Sequence, residues 1–122
     1  MDKNLHLFGL GNALVDVQLQ IDEDAFSQLN LRKGGMALVD AVQQKEILDR
    51  FLHLEAFKCS GGSAANTVIA FAQFGGRAAY GTRLGKDANG SFYASEFQNL
   101  GIELHADLTE DAHTGTCLVL IT

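Results

Sequence analysis

Apolar residues recur along this chain in short runs of two different periods, punctuated almost everywhere by glycine, asparagine or aspartate. Leu5 to Leu10 (LHLFGL) is a nearly continuous apolar run that predicts a strand ending at Gly11-Asn12. Ala13 to Ile21 alternates instead, with Val15, Val17, Leu19 and Ile21 on one side and Asp16, Gln18 and Gln20 on the other. That period of two predicts a strand with one face open to water. Asp22 is placed to cap a short helix carrying Phe26 and Leu29, Lys33-Gly34-Gly35 to turn, and Met36 to Val39 to form another short strand. Asp40 followed by Gln43 has the spacing of a capping box, and Ile47, Leu48, Phe51 and Leu52 continue at helical intervals.

The second half begins with a stretch of small residues, Cys59-Ser60-Gly61-Gly62-Ser63-Ala64-Ala65-Asn66-Thr67, read as a loop running into a helix. Adjacent glycines allow positive φ and close approach of another molecule, and a helix start leaves its first amides free for oxygen-rich groups. Val68, Ile69, Phe71, Ala72 and Phe74 make the following helix apolar over most of its circumference, the pattern of a helix buried between a sheet and a further layer. Gly75-Gly76 should end it. Ala78 to Leu84 predicts a strand, residues 85–90 a turn, and Ser91 to Leu100 a helix with Tyr93, Phe97 and Leu100 on one face. Gly101 stops that helix, Ile102 to Leu108 alternates, and Gly115 to Thr122 is strand-like.

Strands alternating with helices imply an α/β sandwich with a mainly parallel sheet. The alternating strands do not suit a sheet covered on both faces, so they are expected on a small separate sheet with one open side. The 122 residues suffice for one domain core, with 47% hydrophobic and 20% charged residues. A net charge of −6 without any basic stripe argues against a nucleic-acid partner. No apolar run approaches the about 20 residues of a membrane span, and the N-terminus lacks a signal-peptide pattern, so no membrane is expected and the cytoplasm is the expected compartment. Cys59 and Cys117 lie far apart without metal or redox spacing and are expected as reduced, partly buried thiols. Because the sequence stops inside an apolar strand, the chain is expected to be part of a longer protein.

Several candidate chemistries fail on their spacing. Gly9-x-Gly11 lacks the third glycine of a dinucleotide fingerprint, which would fall at Leu14, and an alternating strand follows where a helix should begin. His6, His53, His105 and His113 share no ligand or triad spacing. No GxxxxGK[ST] phosphate loop occurs, and Asp87 with Asn89-Gly90 reads as a turn and helix cap. Asn12 and Asp16 are more informative. Four apart at a strand tip, they could both face a cleft and hold vicinal hydroxyls; the same spacing equally suits a turn residue and a solvated strand residue.

Five motifs in order extend over the chain: Gly9-Leu10-Gly11-Asn12-Ala13-Leu14-Val15-Asp16, Lys33-Gly34-Gly35-Met36, Ser60-Gly61-Gly62-Ser63-Ala64-Ala65-Asn66, Gly85-Lys86-Asp87-Ala88-Asn89-Gly90 and Thr114-Gly115-Thr116-Cys117. Together they resemble the N-terminal part of the PfkB/ribokinase family of carbohydrate kinases. Gly61, Gly62, Asn66, Gly75 and Gly85 match the family's first signature, whereas Val68 stands where a small residue is usual. The Gly-Asn-x-x-x-Asp start and the Thr-Gly-Thr-Cys ending look most like the adenosine kinase branch.

The resemblance implies a ribokinase-like three-layer α/β/α sandwich with a small β-sheet lid. Here it would span residues 1–122 as the N-terminal part of one domain, truncated on the C-terminal side, with lid strands near 13–21, 36–39, 102–108 and 115–122. It also implies that Asn12 and Asp16 hold sugar hydroxyls from one side, while Gly61, Gly62 and Asn66 bind the sugar from the other. The family uses ATP and Mg²⁺, and an aspartate in an Asp-Thr-x-Gly-Ala-Gly-Asp motif deprotonates a primary hydroxyl of the substrate. That motif is not in this sequence. The resemblance therefore implies the sugar- or nucleoside-recognition half of a kinase, with no catalytic, ATP-binding or metal residue of its own, active as part of a longer protein and inactive as the isolated 122 residues. The other readings are a binding module that performs no chemistry and an unrelated α/β domain. Adenosine, another purine nucleoside, ribose and a ketohexose stand as substrates in that order, and association of copies through the lid or an exposed sheet edge is compatible with the pattern.

Overall fold

A computed structural model describes residues 4–122. The chain divides into two compact units. One comprises the residues through Asp16 together with Cys59–Cys117, and the other Val17–Lys58 with Leu118–Thr122. No helix among the described residues is long and apolar enough to cross a membrane.

The first unit is built on a parallel sheet of β1 (Leu7–Leu10), β4 (Ala78–Gly85) and β5 (Glu103–Thr109), in the order β1-β4-β5. Gly9 lies opposite Tyr80 and Tyr80 opposite Leu104 in this register. Helix α3 (Ser63–Gln73) packs on β1 and β4, and α4 (Ala88–Asn99) on β4 and β5. Both lie on one face of the sheet. A β-carbon at Gly9 would stand 2.5 Å from Val68 Cγ2 of α3, beside the Tyr80 ring, and that ring stacks on Phe97 of α4 at 5.2 Å. Tyr80, Tyr93 and Phe97 are completely buried and form the centre of this core. The opposite face carries Phe8 and Leu10, and the Phe8 ring meets His105 at 5.6 Å. This is the α/β class with a mainly parallel sheet that the pattern predicts.

A second three-stranded sheet has the order β3-β2-β6, from β2 (Leu14–Gln20), β3 (Phe57–Gly61) and β6 (Gly115–Ile121). Val15, Val17 and Leu19 of β2 are buried, whereas Asp16 and Gln18 are half-exposed, as the alternation requires. In the second unit Leu19 and Ile21 bury against Phe51, with Ile47, Leu48, Phe26 and Leu118 packed round them. Its helices are α1 (Glu23–Ser27), capped by Asp22, and α2 (Ala41–Asp49), where Asp40 and Gln43 complete the expected capping box.

Five expectations are corrected. Residues 36–39 form no strand: Met36 and Leu38 are fully exposed and pair with no ladder, so their apolarity alone was misleading. Residues 102–108 do not belong to the small sheet, because β5 pairs in parallel with β4. Its alternation arises at a sheet edge, where Glu103, His105 and Asp107 meet water while Leu104 and Ala106 turn inward. The small sheet takes its third strand from residues 57–61, which overlaps the start of the stretch read as a loop at 59–61. The helix after it is covered on one face only: Ala65 and Val68 are buried, but Phe74 is 94% exposed. Finally, α4 begins at Ala88, three residues before the expected Ser91, because Asp87 caps it through the Gly90 amide at 2.7 Å.

Candidate functional site

The expected site residues lie in three segments of the first unit: the β1–β2 link, the end of β3 and the first turn of α3. Gly11 fixes the first segment. Its N–H donates to the Gly81 carbonyl at 3.2 Å, and the Thr82 hydroxyl donates to the Gly11 carbonyl at 2.7 Å. A β-carbon at Gly11 would stand 2.7 Å from the Tyr80 hydroxyl and 2.8 Å from Ala64 Cβ, so only glycine lets this turn sit so deep. Asn12 follows at the surface, and Asp16 projects half-buried from β2.

The second segment meets the first at two glycines. At Gly61 a β-carbon would come within 2.6 Å of Asp16 Oδ2, which places the carboxylate directly over the glycine. At Gly62 it would come within 2.6 Å of the Asn12 carbonyl oxygen, and Gly62 has φ +106°, which L side chains rarely adopt. Gly62 is the N-cap of α3 and offers no side-chain cap; its carbonyl accepts the Asn66 N–H at 2.8 Å, closing the first helical turn. Asn12, Asp16, Gly61 and Gly62 are thus gathered at one place. Asn66 stands in the adjoining helical turn with an exposed side chain that makes no hydrogen bond to the other four.

Three neighbours were not expected from the sequence. Tyr93, wholly buried in α4, donates its hydroxyl to the Gly61 carbonyl at 3.2 Å. Burial, with the Tyr80 phenol beside it, pushes the Tyr93 hydroxyl far above its ordinary range, so it stays protonated and remains a donor. Cys59 and Cys117, reduced thiols on the strands flanking β2, are both pushed up, first by burial and then by the Asp16 charge; Glu96 adds to the effect at Cys59. The i, i+4 pairing of Tyr93 with Phe97 signals a buried helix face, but nothing in the sequence says which carbonyl the hydroxyl reaches. The Tyr80 hydroxyl and Ser60 Oγ are buried without hydrogen-bond partners among the described residues.

Asp87 lies elsewhere and is fully engaged. Its Oδ1 accepts from Gly90 N–H and from the Thr114 hydroxyl at 2.8 Å, and its Oδ2 accepts from Thr114 N–H at 2.7 Å. Such a carboxylate caps a helix and fastens the turn before β6. Among the described residues no three His, Cys, Asp or Glu side chains gather where they could hold a metal ion.

With this geometry in view, the relatives are decisive. The model of the pfkB family carbohydrate kinases matches residues 37–122. The chain belongs to that family. Among curated relatives, adenosine kinase of Saccharomyces cerevisiae is 29% identical over 119 residues, covering 93% of this chain and 35% of that protein. Adenosine kinase 2 of Arabidopsis thaliana is 23% identical, covering 94% and 34%. The chain therefore spans about a third of the length of the relatives it matches. Among solved structures, adenosine kinase from Sinorhizobium meliloti superposes with a TM-score of 0.74 at 28% identity, over 96% of this chain and 35% of that one. The apo adenosine kinase of Trypanosoma brucei brucei reaches 0.85 at 23% identity, over 99% and 38%, and shows the shared fold. This member of the pfkB family thus has the adenosine kinase/ribokinase-like fold, as its motifs implied.

Proposed function

We propose that the chain is the sugar-recognition part of an ATP-dependent kinase that phosphorylates a primary hydroxyl of a purine nucleoside or sugar. The observation that carries this reading is the meeting of Asp16 with Gly61 and of the Asn12 carbonyl with Gly62, each so close that a single β-carbon would abolish it. The absence of side chains at 61 and 62 lets Asp16 and the Asn12 carbonyl close onto this backbone, and Asp16 can accept from two vicinal hydroxyls at once. Asn12 and Asn66 supply amides that both donate and accept. The small sheet carrying Asp16 would serve as the lid over the sugar. Adenosine ranks first among substrates because the curated relatives named above are adenosine kinases.

Within these residues we assign no catalytic base, and the groups named bind and orient a hydroxyl-bearing ring through hydrogen bonds. ATP and Mg²⁺ belong to the proposed reaction of the whole protein. The described residues offer no acidic cluster that fits Mg²⁺.

A second reading is a sugar- or nucleoside-binding module that performs no chemistry. Calorimetric titration of the full-length gene product with adenosine, a second purine nucleoside, ribose and a ketohexose tests recognition. Assay of phosphate transfer from ATP then separates the readings. Binding with transfer supports the kinase, binding without transfer supports the module, and failure to bind all four overturns both.

A further inference from the structure

The recognition site rests on a buried aromatic stack whose members end differently. Tyr80, Tyr93 and Phe97 pack with ring centroids 4.8 Å apart for Tyr93–Phe97 and 5.2 Å apart for Tyr80–Phe97. All three are completely buried. Only the Tyr93 hydroxyl leaves the stack in a hydrogen bond, to the Gly61 carbonyl at 3.2 Å; the Tyr80 hydroxyl has no hydrogen-bond partner among the described residues.

The bonded carbonyl belongs to the Gly61–Gly62 peptide unit. Among the described residues every peptide bond is trans, and a trans unit is planar with its C=O and N–H pointing in opposite directions. Drawing the Gly61 carbonyl toward Tyr93 therefore turns the Gly62 N–H away from the aromatic core. Two glycines in succession would otherwise leave this plane free to rotate, since neither has a β-carbon to restrict it. Asp16 and the Asn12 carbonyl crowd the α-carbons of the same unit at Gly61 and Gly62. The orientation of one peptide plane thus decides how the site's backbone meets its ligand.

We infer that Tyr93 is a positioning residue of this site: its hydroxyl fixes the Gly61–Gly62 peptide plane and so presets the backbone that receives the substrate's sugar ring. The inference rests on the reading of the site as a sugar-hydroxyl binder. Tyr93 touches no substrate in this role; it acts through Gly61.

Tyr93→Phe removes the hydroxyl and keeps the ring, while Tyr80→Phe makes the same change in the same stack at a hydroxyl that makes no hydrogen bond outside it. Both variants are to be made in the full-length gene product and titrated with adenosine and ribose well below their melting temperatures. Affinity in Tyr93→Phe should fall roughly three- to tenfold, the scale of one hydrogen bond. In Tyr80→Phe it should not change. Amide hydrogen exchange at Gly62 and Ser63 should accelerate in Tyr93→Phe alone. Wild-type binding that Tyr93→Phe retains in full, or parallel losses in the two variants, overturns the positioning role and leaves the recognition site intact. A wild-type protein that binds neither ligand overturns the recognition reading and this role with it.

Discussion

The Asp16 carboxylate lies against the α-carbon of Gly61, where a β-carbon would stand 2.6 Å from Oδ2. The contact joins β2 to the end of β3 and leaves no volume for any side chain larger than hydrogen. Gly61→Ala must therefore push the carboxylate aside or shift the strand, because Gly61 itself does not need positive φ. The expected cost is about 1–3 kcal/mol of stability, the usual scale of overpacking. Affinity for adenosine should fall by at least a comparable factor, because the displaced group is the proposed hydroxyl acceptor. Urea unfolding and calorimetry measure the two effects separately, and unchanged affinity would remove this contact from the site.

Asp16→Ala should weaken nucleoside or sugar binding by about 1–3 kcal/mol, the scale of a lost charge-assisted hydrogen bond. Asp16→Asn keeps the shape and one acceptor, so it should fall between wild type and alanine. The ranking is read from dissociation constants of the three proteins for one ligand.

The thiols of Cys59 and Cys117 give a test that needs no substrate. Burial raises both, and the Asp16 charge raises them further. Asp16→Asn removes that second cause, so both pKa values should drop, though not to the ordinary value, since burial persists. Alkylation at about pH 8 should then be faster at both cysteines, because the thiolate is the reactive species. Mass-spectrometric labelling rates for each cysteine follow this directly.

At Asp87, burial opposes ionisation, but the Thr114 and Gly90 amides and the Thr114 hydroxyl, with His113 nearby, outweigh it and hold the carboxyl below its ordinary value. A group depressed in the folded state contributes stability that is fully present above the unfolded carboxylate value of about 3.9 and is lost as pH falls through the depressed one. Asp87→Asn should therefore be less stable than wild type at neutral pH, by about 1–3 kcal/mol, because an amide nitrogen in place of Oδ2 cannot accept the Thr114 N–H. The difference should shrink below about pH 4. Denaturant midpoints across that range test the sign.

Much of the site was legible because its residues are constrained locally. Gly62 with φ +106° and the Asp87 cap are demands of one turn of backbone, and such demands leave a trace in residue type. Tyr93 was not legible as a site residue, since its i, i+4 spacing with Phe97 declares only a buried face. The strand at 57–61 is hidden for a related reason: Phe57-Lys58-Cys59-Ser60-Gly61 runs without a break into the small residues that follow, so residue type does not mark where the strand ends. Gly90 was read as a turn residue, yet it lies inside α4, where a β-carbon would stand 2.2 Å from the Gly85 carbonyl oxygen.

The sequence by itself determined the α/β class, the capped helix starts, the buried face of β2 and the adjacent glycines whose backbone is open to close approach. Each of these follows from periodicity or from backbone conformation, which neighbouring residues specify. Only the tertiary structure decided which sheet each strand joins. Alternation looks the same on a small open sheet as at the edge of a parallel one, as β5 shows by pairing with β4. It also decided which hydroxyl reaches which carbonyl. The bond from Tyr93 to Gly61 links residues 32 apart in sequence, and no local pattern encodes a contact made by packing alone.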